Sequence, residues 1–283
     1  MNGILLIFLL SAFAGPSQSL KASTPIDTAF NRLYNFDFAG LNEILDAHVR
    51  THPEDPSVYS TRALALLFSE LHRMGILETD FFIDDKQITD KSRLKPDPAV
   101  RTQLFQMTGE ARRRAASILA SAPADANAMF AMSVATGVET DYTVLVEKKY
   151  LRGFSLSRES QGYARKLLTL EPPLDDGYLT VGMVEYVVGN MNWFFRLFAR
   201  FDQIEGSKGK AVENLNRVVA TGRYFAPLAK LMLSIIYLRE HQPEKTLEFL
   251  TELEHDFPEN PLIRLEIRKV TASINRLQKE KVR

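Results

Sequence analysis

The chain of 283 residues contains no cysteine. That excludes a disulfide framework, a cysteine-ligated zinc or iron–sulfur site, a thiol nucleophile and a lipid anchor on an N-terminal cysteine. An excess of either charge is lacking too, since 35 Lys and Arg stand against 35 Asp and Glu. A protein that binds duplex nucleic acid needs a net basic surface to displace condensed counterions, so no nucleic-acid partner is expected. The apolar run Ile4 to Leu10 stops well short of the roughly 20 residues that cross a bilayer, so it is not a permanent span. What is present, 45% apolar and 25% charged residues, is the composition of a soluble globular protein.

The first residues read as a leader. Met1 to Ala14 carry no charged side chain, and the apolar run is followed by Ala12-Phe13-Ala14, a small-x-small triplet of the kind signal peptidases cut after. Gly15-Pro16 would break a helix there, and Ser17-Gln18-Ser19 offers a second site. No Lys or Arg precedes the run, so the positive end is the amino terminus alone. The expectation is a signal peptide over residues 1–22, cleaved between Ala14 and Ser23, with the mature chain in a bacterial periplasm or on the cell envelope.

From Pro25 onward apolar residues almost never alternate with period two, whereas helical spacing recurs in segment after segment, so the body is predicted to be all-α. The clearest pair lies near the C-terminus. Leu228, Leu231, Met232, Ile235, Ile236 and Leu238 mark one amphipathic helix; after His241-Gln242-Pro243, Leu247, Leu250, Leu253 and Phe257 mark a second that ends at Pro258. Helices joined by so few residues lie antiparallel and share a face. Similar helix tails end in Pro53, Pro123 and Pro172, at irregular intervals.

On these residues the chain resembles a divergent tetratricopeptide repeat protein. Tyr237, Leu250 and Leu253, counted back from Pro258, fall on apolar positions of that motif, with Thr246 where alanine is usual. Phe38, Leu41 and Leu45 stand in the unit ending at Pro53, and Ala111, Ala115 and Ile118 in the unit ending at Pro123. Tyr178-Leu179-Thr180-Val181-Gly182 repeats the start of a first helix, where glycine permits close approach. The resemblance implies an α-solenoid of antiparallel helical hairpins over residues 23–283, whose concave surface binds a protein or peptide partner. The family's clamp of Lys and Asn on inner helix faces is not expected, because Asn31, Asn127 and Lys230 do not share a register.

Two segments depart from a plain array. Residues 75–98 have no clean helical period and collect Asp80, Asp84, Asp85, Asp90 and Asp97 beside Lys86, Lys91, Arg93 and Lys95, which predicts a charged insertion anchored by Phe81-Phe82-Ile83. The calcium-loop pattern with its closing Glu is missing. In the second segment Trp193, Phe194, Leu197, Phe198, Phe201 and Ile204 form a wide apolar stripe flanked by Arg196 and Arg200. Such a stripe serves as core, as a partner groove, or as a helix on a membrane interface, for which two arginines are few. Trp193, Phe194, Arg196, Phe198, Arg200 and Phe201 are therefore the candidate partner- or ligand-binding residues. In the alternative reading they line the pocket of a periplasmic carrier of an apolar or anionic small molecule.

No catalytic constellation emerges. Glu205 to Ala211 lacks the spacing of a phosphate loop, and Ser207 is predicted to cap a helix instead. His48 and His52 have the i, i+4 spacing of two ligands, but His52 precedes Pro53 at a helix end and no third ligand offers itself, so a solvated pair is expected. Glu139, Asp141, Glu147 and Glu185 cannot be paired from sequence. No enzyme activity, metal or cofactor is expected.

Overall fold

A computed structural model describes residues 23–83, 90, 94–190 and 206–281. Among the described residues twelve α-helices follow one another, with one π-helical turn and no strand. They are α1 (Pro25–Tyr34), α2 (Phe38–Thr51), α3 (Pro56–Arg73), α4 (Thr79–Ile83), α5 (Pro98–Ser121), α6 (Ala126–Asp141), α7 (Tyr150–Leu167), α8 (Gly177–Asn190), α9 (Lys208–Thr221), α10 (Ala226–Arg239), α11 (Pro243–Asp256) and α12 (Pro261–Lys281). The π-turn, Tyr142–Val146, continues α6. The all-α solenoid of antiparallel hairpins expected from the sequence is what forms: α1/α2, α3/α5, α6/α7, α8/α9 and α10/α11 pair, and α12 covers the last hairpin.

The helix starts are written locally. Thr24 accepts from the Asp27 N–H at 3.2 Å while the Asp27 carboxylate accepts from the Thr24 N–H at 2.8 Å, a reciprocal cap with Pro25 in the first turn. Asp55, Asp97, Asp125 and Ser207 accept from the first-turn N–H groups of α3, α5, α6 and α9. Each such cap contributes about 1 kcal/mol by satisfying a donor the helix itself leaves open. Ser207 is thus the cap its sequence predicts.

Helix α6 is the hub. It is buried from Ala128 to Ala135 without interruption and touches α3, α5 and α7, as befits a helix that is apolar on every side. Its small residues Ala128, Ala131 and Ala135 and those of α5, Ala111 and Ala115, are all fully buried. At the C-terminal pair Tyr237 stacks on Phe249 at 6.1 Å. Thr246 is fully buried, and its hydroxyl donates to the Ser234 carbonyl at 3.0 Å, so no polar group is stranded. Gly182 works as expected: a Cβ there would lie 3.2 Å from the Ala211 carbonyl of α9.

The array curls until its ends meet. Phe30 of α1 lies 6.2 Å from Phe130 of α6, 4.8 Å from Tyr224 and 5.9 Å from Phe225, while Tyr34 lies 5.3 Å from Phe257. Polar groups seal the same seam: the Tyr34 hydroxyl donates to the Tyr224 carbonyl at 2.9 Å, and the Asn260 amide donates to the Tyr34 carbonyl at 2.7 Å. Behind it, buried Asp176 accepts from the N–H groups of Arg223, Tyr224 and Phe225 at 2.9, 2.8 and 2.7 Å. Burial raises the Asp176 carboxyl above the usual carboxylate range, although the three N–H donors favour its ionised form.

A second closure fixes the insertion. Lys269 of α12 reaches Glu78 at 2.7 Å, Asp80 at 2.9 Å and Glu266 at 3.1 Å, and Thr79 donates to the buried Glu266 carboxylate. Arg239 of α10 donates to the Phe82 carbonyl. Of the three expected anchors, Phe81 is buried and Phe82 half-buried, but Ile83 faces solvent.

Candidate partner-binding surfaces

The six residues singled out in the sequence, Trp193, Phe194, Arg196, Phe198, Arg200 and Phe201, lie outside the described residues, as do residues 1–22. The flanks of the aromatic segment are described. Gly206 has φ +55°, and a Cβ on it would fall 2.6 Å from the backbone nitrogen of Gly189. The end of α8 and the lead into α9 therefore meet backbone to backbone, and only glycine fits between them.

The candidate acidic and histidine groups go to separate partners. Glu139 is held by Arg112 at 3.0 Å, Glu147 by Arg101 at 2.7 Å, and Glu185 by Asn214 at 2.8 Å. Asp141 ends the hub helix; its side chain reaches water, yet desolvation by the protein around it pushes its carboxyl up to about 7. His48 is half-buried rather than solvated, with Nε2 2.8 Å from Asp55 and its ring stacked on His52 at 4.6 Å. Packing of α2 on the start of α3 encloses it, which the i, i+4 spacing alone did not convey. Among the described residues no three His, Asp or Glu side chains come together in a way that could hold a metal ion.

Three surface features remain. A polar notch of about 510 Å³ on the closing seam is bordered by Thr28, Asn31, Arg32 and Glu259, but Arg32 is already engaged by Asp37 at 3.0 Å. Between α11 and α12 runs an open groove of about 580 Å³, with half-buried Leu247 and Ile274 beside Thr251 and the carboxylates of Glu244, Glu248 and Glu252. Glu252 is paired with Lys230 at 3.0 Å. The three glutamates follow one another at i, i+4, a like-charge order that costs an isolated helix about 0.2–0.5 kcal/mol per pair.

The third feature is a corner around the first turns of α7. Gly153 lets this helix sit flush on the π-turn, because a Cβ there would lie 2.2 Å from the Val144 Cγ2. Phe154, one turn beyond Tyr150, packs on Val188 of α8 alongside Val184. On the other side the Lys148 ammonium sits 5.1 Å from the Phe81 ring, which brings the tip of α4 next to the start of α7. Neither the groove nor the corner carries a motif. Only the partition of apolar residues between buried and exposed faces reveals them, and helical periodicity does not report that partition for a helix with neighbours on several sides.

No helix among the described residues is long and apolar enough to cross a membrane. No known protein-family model and no curated protein matches the chain.

Proposed function

We propose that the protein is an exported helical-repeat scaffold of tetratricopeptide-like type that binds another protein, and that the groove between α11 and α12 receives a basic amphipathic helix of that partner. The groove carries this reading. Its apolar floor of Leu247 and Ile274 and its glutamate rim match a helix with an apolar stripe flanked by Lys or Arg. The Glu244–Glu248 step supports it too, since a basic partner would relieve the repulsion between these two, whereas Glu252 already has Lys230. The partner is assigned to this groove because, where α1, α6 and the loop before α10 meet, their aromatic side chains already pack on one another. Export rests on the uncharged leader and its small-x-small sites.

Fluorescence polarisation with a labelled helical peptide of alternating leucine and lysine turns tests the groove. The peptide should bind, a glutamate-substituted counterpart should not, and Glu244→Lys with Glu248→Lys should weaken binding about tenfold, by roughly 1 kcal/mol or less per charge at an exposed site. Equal binding of both peptides, or indifference to the charge reversals, sinks the reading.

A further inference from the structure

Four large apolar side chains stand exposed among the described residues: Leu151 (90%) and Tyr150 (44%) open α7, Val187 (47%) adjoins Val188, on which Phe154 of α7 packs, and Ile83 (42%) ends α4, whose Phe81 ring faces Lys148. Scattered single apolar residues on a surface need no explanation, but their collection at one place does. The helix that carries two of them is basic. Residues 148–168 hold Lys148, Lys149, Arg152, Arg158, Arg165 and Lys166 against the single acid Glu159, in a chain that is neutral overall. Glu159 is already engaged by Arg112 at 2.8 Å, and Glu147, just before the helix, by Arg101 at 2.7 Å and Lys149 at 2.9 Å. Arg152, Arg165 and Lys166 are exposed and have no acidic partner among the described residues.

We propose that this corner docks on the surface of an anionic lipid bilayer. The basic residues run the length of α7 from Arg152 to Lys166 rather than lining a pocket, which suits a flat anionic surface, and Leu151 protrudes at the N-terminal end of that row with nine-tenths of its surface in water. A protruding leucine beside a tyrosine, with Lys149 and Arg152 next to it and Arg165 and Lys166 about four turns further along the same helix, places apolar carbon at the acyl boundary and guanidinium and ammonium groups at headgroup level. Charge complementarity supplies the second half: basic residues near an anionic surface each strengthen attachment, and salt screens them. The proposal is independent of the groove reading, since the two surfaces share no residue.

The test is sedimentation of the full chain with vesicles of phosphatidylcholine alone or mixed with phosphatidylglycerol. The mixed vesicles should retain the protein, added NaCl should release it, and Leu151→Ser combined with Arg152→Glu should lower partitioning about tenfold. Both positions are exposed, so the melting curve should stay in place and report that the fold is intact. Equal binding to both vesicle types overturns the proposal. So does binding unchanged in the double variant, which would trace attachment to the apolar run Ile4 to Leu10. Failure to bind either vesicle type overturns it as well.

Discussion

Arg223 grips Asp27 with two parallel hydrogen bonds of 2.9 Å, Nε to Oδ1 and Nη2 to Oδ2, across 196 positions of the chain. The pair joins the first turn of α1 to the residues that lead into α10. The same Asp27 closes the reciprocal cap with Thr24, so one carboxylate starts the first helix and ties it to the far end of the array. Without such closure a repeat array is a stack of neighbours whose ends do not communicate.

The first prediction concerns this pair. A double-mutant cycle of Asp27→Ala and Arg223→Ala, read by urea unfolding, should return a coupling of about 0.5–1 kcal/mol, because both side chains are partly exposed. Arg223→Lys should recover less than half of it, since an ammonium cannot make the paired bonds. Burial would raise the Asp27 carboxyl, but the bonds from Arg223 and Thr24 outweigh it and hold the group below its usual value of 3.8. The folded state thus binds this proton less tightly than the unfolded chain, so the coupling is present above about pH 4 and fades as the pH falls below that. A coupling that persists undiminished at pH 2 contradicts the assignment.

The second prediction tests the splice between α8 and α9. Gly206→Ala places a Cβ against Gly189 backbone and demands a left-handed φ from an alanine. A loss of about 1–3 kcal/mol in stability is expected. Gly209→Ala, two residues into the same helix start, meets only the Ser207 hydroxyl at 3.8 Å and should be neutral or slightly stabilising. Chemical denaturation of the two variants side by side decides it, and equal stabilities would count against the close approach.

The third prediction is a pH dependence at the hub helix. Asp141 has its carboxyl pushed up to about 7 by desolvation, from an ordinary 3.8. The folded state therefore holds this proton more tightly than the unfolded chain, so stability from this group is lost as pH rises from about 4 to about 7 and changes no further above that. Because the side chain also touches water, screening reduces the size of the effect. Asp141→Asn should leave the melting temperature near that of the native chain at pH 4 and raise it above pH 7. A difference that does not vary across this range would show an unperturbed carboxyl.

Much of the local structure was legible along the chain. The apolar spacing of Leu228 to Leu238 and of Leu247 to Phe257 predicts α10 and α11, and the observed helices, Ala226–Arg239 and Pro243–Asp256, begin and end within a few residues of it. Ser207 as a cap and Gly182 as a close-approach residue follow from chemistry that acts over three or four residues, or from one helix face. His48 is enclosed rather than solvated because its partner Asp55 caps the next helix, α3. Leu151 gave no signal because an apolar residue at helical spacing looks the same whether a neighbour covers it or water does.

Caps, prolines and apolar periodicity act over a few residues, and on their own they call for capped, antiparallel helices; among the described residues there is no strand. That the array closes, bringing Phe30 to Tyr224 and Thr79 to Glu266, emerges from the packing of the helices. The same packing decides which apolar residues remain outside. Closure depends on small rotations summed from hairpin to hairpin, and exposure depends on what lies opposite each face. Neither quantity is carried by any single stretch of the chain.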